Sequence, residues 1–146
     1  MAQTGPMRFT EREMTTAIDT VARGVFTATR PPWRRGAADV AWEGLPRVER
    51  YNHKSAVGEM VLPALVALPE RPTVGARPAF TDEEYTAAAE AASRTLVEHR
   101  GPGAWDALSV RRRRQLVRAT AALTRSAVEA MPVRQDPDSV IVPDHL

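Results

Sequence analysis

Apolar side chains recur along this chain at helical spacing, in segments that open with the same local signals. Phe9-Thr10-Glu11-Arg12-Glu13-Met14 and Phe80-Thr81-Asp82-Glu83-Glu84-Tyr85 are two versions of one helix start. In each, Thr is followed three residues later by Glu, the capping box in which hydroxyl and carboxylate satisfy amides that a first helical turn leaves open. Phe before the cap and a large apolar residue beyond it form a hydrophobic staple, Phe9 with Met14 and Phe80 with Tyr85. Helices are therefore predicted to start at Thr10 and Thr81. Met14, Ala17, Ile18, Val21, Ala22, Val25 and Phe26 make the stripe of the first; Tyr85, Ala88, Ala89, Ala92 and Leu96 make that of the second. Arg30-Pro31-Pro32 ends the first near Thr29, and Gly101-Pro102-Gly103 ends the second near Arg100.

A second pair of signals follows. Trp42-Glu43-Gly44-Leu45-Pro46 is echoed by Trp105-Asp106-Ala107-Leu108-Ser109, each leading into another helix. Pro46 suits a first helical turn and Ser109 suits an N-cap. The helix after Pro46 carries Val48, Tyr51, Val57, Met60, Val61, Ala64, Leu65 and Leu68, with Pro63 expected to kink or divide it. The helix after Ser109 carries Leu116, Ala119, Leu123, Ala127 and Met131, with a side stripe of Val117, Ala121 and Val128. The plan is helix, loop, Trp-acid-x-Leu, helix, twice over. It predicts an all-α four-helix bundle of two tandem helical hairpins, an internal duplication with copies at about 9–68 and 80–131. A three-proline linker fills 69–79 and an extended C-terminal tail fills 132–146. Neither copy can bury its stripe alone, so 1–146 reads as a single domain.

Composition narrows the setting. A length of 146 residues with 43% hydrophobic content suits one core of ordinary size. The absence of cysteine excludes disulfide scaffolds, thiolate zinc sites and thiol chemistry, and points to a cytoplasmic location. The amino terminus lacks the apolar run of a secretory signal, and the most apolar stretch, 61–68, is too short to span a membrane. There are 19 Arg against the single Lys54, yet the formal net charge is only +2 despite an isoelectric point near 9.6. Any electrostatic partner must therefore be attracted by a local patch.

Two patches qualify. Arg30, Trp33, Arg34 and Arg35 form three guanidiniums around an indole in a loop, an arm able to follow phosphates or enter a minor groove. The plainer alternative is a surface loop in which Trp33 folds onto the bundle. Arg111, Arg112, Arg113 and Arg114 occupy the first turns of the last helix and point around most of its circumference. Positive charge at a helix amino end is unfavourable, so this run is either a phosphate-binding face or a solvated turn compensated by Glu98, Asp106 or the acidic tail. Trp42 and Trp105 read as anchors that pack each loop on its helices. Trp33 has no counterpart in the second copy and is the first aromatic to suspect of an intermolecular role. In the tail, Val140-Ile141-Val142 can dock in extended form on the bundle or on a partner.

Enzyme chemistry finds little material. His53, His99 and His145 lie in different segments, and Glu49 with His53 is spaced by four rather than the three of Glu-x-x-His bundle sites. No metal or cofactor is expected. No serine sits in a nucleophile elbow, and Gly101-Pro102-Gly103 is too short for a phosphate loop.

Trp105-Asp106-Ala107-Leu108-Ser109 followed by Arg114, Arg118, Ala121, Ala122 and Leu123 resembles the closing helix of small uncharacterised helical proteins of actinobacteria and their phages. Trp42-Glu43-Gly44-Leu45 with Arg50 and Tyr51 is similar. That resemblance implies an origin of that kind and assigns no functional residue. The expected function is a non-enzymatic protein-interaction or assembly module, with a protein partner or a second copy covering apolar surface that thin Ala-rich helices leave over. The alternative is a nucleic-acid-binding protein using the two arginine clusters. No membrane partner is expected.

Overall fold

The structure, a computed structural model, describes residues 8–71 and 75–134, with the side chain of Arg35 outside the described set. Six α-helices pack together and no strand occurs among the described residues: α1 (Glu11–Thr29), α2 (Ala38–Glu43), α3 (Arg47–Ala67), α4 (Asp82–Arg100), α5 (Ala104–Ala107) and α6 (Val110–Ala130). A 3₁₀ turn, Pro32–Ala37, separates α1 from α2. None of these helices is long and apolar enough to cross a membrane.

The two capping boxes form as the sequence dictates. The Glu13 amide donates to the Thr10 hydroxyl at 3.0 Å while the Thr10 amide donates to the Glu13 carboxylate at 2.9 Å. The same pair of bonds joins Thr81 and Glu84, at 3.1 and 2.8 Å. The rings of Phe80 and Tyr85 meet edge to face with centroids 5.6 Å apart, the second staple. Phe9 and Met14 both pack against the core. Ser109 caps α6 by accepting from the Arg112 amide. Pro46 stands one position earlier than a first-turn proline, at the N-cap of α3 itself. Gly103 has φ of 80°, a left-handed conformation that a Cβ disfavours, and there the chain turns from α4 into α5.

The four long helices share one core. α3 packs on α1, α4 and α6, and α6 packs also on α1 and α4. Ala17, Val21 and Ala22 of α1, Val57, Val61 and Leu65 of α3, Tyr85 and Ala88 of α4, and Ala127 and Val128 of α6 form its centre, closed by Trp42, Leu68 and Met131. Small residues at these contacts let helix axes approach closely, so the core is thin and its large anchors carry much of the buried area.

Four features depart from the helical reading of the sequence. α3 is not divided at Pro63. Both Pro63 and Glu59, whose carbonyl loses its amide partner, lie on the exposed side of the helix, where solvent lowers the cost of the lost bond. Val48 and Tyr51, expected in the stripe of α3, are 67% and 66% exposed. Ala119 is exposed, while Thr120 and Thr124 occupy the buried centre of α6. Their hydroxyls are satisfied there: Thr124 donates to the Thr120 carbonyl at 2.7 Å, and Ser93 donates to the Thr120 hydroxyl at 3.3 Å. Finally, the expected loop around Trp33 is a 3₁₀ turn.

Each half also ends on an arginine that the sequence signals did not single out. Arg71, beyond α3, bonds the Glu84 carboxylate, and Arg134, beyond α6, bonds that of Glu13. Arg71 lies over the Phe80 ring at 5.4 Å and Arg134 over the Phe9 ring at 5.7 Å. Each capping-box glutamate is thus held by the arginine that closes the other half of the chain.

Candidate functional site

The arginine run at 111–114 begins directly after the Ser109 cap, so helical geometry spreads it around the first turn of α6. Arg113 and Arg114 point to one flank, where with Arg118 they border a groove of about 490 Å³ between α4 and α6. The floor of that groove is apolar: Trp105, Val110, Val117 and Ala121. Thr86 and Glu90 of α4 form its far wall. Arg112 points to the opposite flank, into a smaller hollow of about 390 Å³ beside Val97, Arg100 and Leu116. Arg111 is exposed.

Trp105 is fixed by its neighbours. It is 3% exposed, and its amide, with that of Gly103, donates to the two carboxylate oxygens of Glu98 at 2.9 Å each. The Trp105 amide first, and then that of Gly103, hold the Glu98 carboxyl below its ordinary value. The guanidinium of Arg94 lies 5.7 Å from the indole. Glu98 is thus committed to the turn between α4 and α5 and does not compensate the arginine run. Among the described residues Arg111, Arg112, Arg113, Arg114 and Arg118 make no ion pair, and Asp106 makes none either. The tail acids at 136, 138 and 144 lie outside the described residues. Arg113 Nε is buried with no hydrogen-bond partner among them.

The corresponding face of the first half is closed. There Asp19 pairs with Lys54 at 2.9 Å and Arg23 at 3.4 Å, while Glu43 pairs with Arg23 and with Arg50 at 3.6 Å. Arg23 lies 5.9 Å from the ring of Trp42, as Arg94 does near Trp105. Phe26, Trp42 and His53 form an aromatic cluster with centroids 5.5 to 5.9 Å apart. The two faces differ in charge pairing: Asp19 and Glu43 engage the cations of the first, whereas on the second Arg113, Arg114 and Arg118 make no ion pair among the described residues.

The other arginine cluster sits on the 3₁₀ turn. Trp33 is 81% exposed, so it does not fold onto the helices. Arg30 lies over Phe26 at 5.4 Å, and its Nε donates to the Arg34 carbonyl at 3.5 Å. Arg34 is exposed; of Arg35, only the backbone belongs to the description. The turn packs on α2, whereas α6 packs on α1, α3 and α4, and no substantial packing joins the two arginine clusters. Among the described residues no three metal-ligating side chains come together.

In comparisons with known proteins, no family model, no curated protein and no solved structure matches this chain.

Proposed function

We propose that the chain is a non-enzymatic protein-interaction module, a four-helix bundle made by duplication of one helical hairpin, which associates with a second copy of itself. Duplication is supported by paired details that local chemistry does not require. α1 and α4 each have 19 residues and α3 and α6 each have 21. A short helix with a buried tryptophan precedes the second long helix of each half, and a fully buried C-cap, Leu68 or Met131, ends it. The exchanged arginine–glutamate pairs favour one domain, since each half completes the other. The lowered carboxylates of Glu13, Glu84 and Glu98 are all engaged in caps and turns, which supports a structural role for them over an acid–base one. The lack of cysteine favours a cytoplasmic setting.

One observation carries the self-association: the outward face of α3. Val48, Tyr51, Leu62 and Val66 are 67%, 66%, 37% and 53% exposed. At 100° per residue they share one face with Ser55 and Glu59, opposite to Val57, Val61 and Ala64. The order along that face is apolar, apolar, polar, polar, apolar, apolar. An antiparallel two-fold contact centred between Ser55 and Glu59 sets Val48 against Val66 of the second copy and Tyr51 against Leu62, the self-complementarity an isologous interface needs. Light scattering against concentration tests this. A dimer that dissociates on Leu62→Glu with Val66→Glu is expected, and a strict monomer at every concentration overturns the reading.

A second reading, nucleic-acid binding, is favoured by the exposure of Trp33 between Arg30 and Arg34 and by the unpaired run of Arg111, Arg112, Arg113 and Arg114. It expects salt-sensitive binding of duplex or single-stranded probes that weakens in Arg34→Ala with Arg35→Ala. No binding at low salt eliminates it.

A further inference from the structure

The α4–α6 groove combines an apolar floor with cations that nothing described neutralises. Trp105, Val110, Val117 and Ala121 supply the floor; Arg113, Arg114 and Arg118 flank it, against a single acid, Glu90, which pairs with Arg94 at 3.8 Å. Val110 is 56% exposed there. Its counterpart face on the first half holds Asp19 and Glu43 as internal counter-charges, so an open cationic groove is not a requirement of the fold. What the groove lacks is an aliphatic segment bearing carboxylates on both sides.

The sequence contains one such segment: Asp136-Pro137-Asp138-Ser139-Val140-Ile141-Val142-Pro143-Asp144. We propose that this segment of the chain itself docks in the α4–α6 groove, with Val140, Ile141 and Val142 over the apolar floor and the aspartates toward Arg113, Arg114 and Arg118. The point of departure favours it. The Gly75 amide donates to the Arg134 carbonyl at 2.7 Å and the Arg134 amide to the Ala76 carbonyl at 3.3 Å, so the chain leaves α6 beside the segment that enters α4. Arg125 pairs with Asp82, which sets the last turns of α6 against the first turn of α4. Residue 134 therefore lies beyond the end of the groove that Thr86 and Ala121 mark.

The length also fits. Helix α6 between Val117 and Met131 rises about 21 Å at 1.5 Å per residue. The ten residues from Met131 to Ile141 span up to about 33 Å when extended, which exceeds that rise. Running back along α6, the aliphatic triplet reaches the level of Val117, with Asp138 on the near side and Asp144 on the far side, as Arg118 and Arg114 stand on either side of that valine. The docking covers apolar surface and supplies the missing counter-charge together. It is independent of the α3 contact, which lies on another helix.

Because the chain has no cysteine, Ser139→Cys carries a single nitroxide label on the otherwise intact protein. With the full chain labelled in this way, the amide signals of Val110, Val117 and Ala121 are expected to lose most of their intensity and to recover it on reduction of the label. The exposed pair Arg114→Glu with Arg118→Glu, with other signals unmoved, is expected to abolish that loss. Unbroadened signals at these three positions, or broadening that survives the charge reversal, overturn the proposal. Mixing spin-labelled chains with isotopically labelled, unmodified ones separates the remaining occupant: broadening in that mixture assigns the groove to the segment of a second copy and also overturns it.

Discussion

The guanidinium of Arg134 holds the carboxylate of Glu13 across 121 positions of the chain, Nε to Oε2 at 2.9 Å. Glu13 is 5% exposed and already engaged by the Thr10 amide, so this one side chain closes a helix start and ties the end of the described chain to its beginning. The Arg134 guanidinium also donates to the Arg8 carbonyl at 2.9 Å. Glu84 and Arg71 make the reciprocal tie at a more exposed place.

Arg134→Ala is expected to lower stability by about 1–3 kcal/mol, since it leaves a buried carboxylate short of a charged donor. Arg71→Ala should cost less, because water reaches Glu84. Urea denaturation of both variants checks the order, and equal losses would contradict the difference in burial. In a double-mutant cycle Glu13→Ala and Arg134→Ala should couple, whereas Glu13→Ala and Arg71→Ala should add.

Stability should fall in acid. Burial alone would raise the Glu13 carboxyl, but the Arg134 hydrogen bond, the Thr10 amide and the Arg134 charge outweigh it and set it below the ordinary 4.5. The Arg71 hydrogen bond and then the Thr81 amide lower Glu84 as well. For a carboxyl lowered on folding, the stabilisation is complete above its unfolded value and disappears as pH falls through the folded one. Thermal melts from neutral pH downward should therefore lose stability below about pH 4.5, less steeply in Arg134→Ala.

The three tryptophans should separate sharply. Trp42 and Trp105 are 2% and 3% exposed, so replacement of either by Ala is expected to cost about 3–5 kcal/mol. Trp33 is 81% exposed, and Trp33→Ala should change stability by no more than about 0.5 kcal/mol. Denaturant titrations with fluorescence of the remaining indoles measure all three.

Pro63→Ala is expected to stabilise the protein by about 1–3 kcal/mol. The new amide can donate to the Glu59 carbonyl, and the site is exposed, so no packing is lost. A destabilised variant would show that Pro63 serves a bend that the rest of α3 depends on.

The helix starts were legible because their chemistry is local. A Thr hydroxyl and a Glu three residues on meet within a single turn, and Phe80 reaches Tyr85 in the same turn, whatever the remainder of the chain does. Periodicity placed Ala17, Val21, Val57, Val61, Leu65 and Val128 in the core for the same reason. It failed at Val48 and Tyr51, which have the right spacing but face away from every other helix, and at Thr120 and Thr124, whose polarity is cancelled by a bond from Ser93 of α4 and by one within α6.

Of the candidate site, the sequence supplied the arginines and their scatter around α6, and nothing about what lies between them. Arg113 and Arg114 acquire a shared apolar floor only when α4 and α5 bring Trp105 against Val117. Arg118, outside the run of four arginines, joins them one turn further along.

By itself, then, the sequence determined where helices begin, where they stop and which stripe each buries, because those are contests between groups a few residues apart. Tertiary structure decided which charges are spent and which are left. Asp19 and Glu43 pair with Arg23, Arg50 and Lys54, Glu98 is consumed by a turn, and Arg113, Arg114 and Arg118 stand around an open groove, since ion pairing depends on distances between helices that no local pattern encodes.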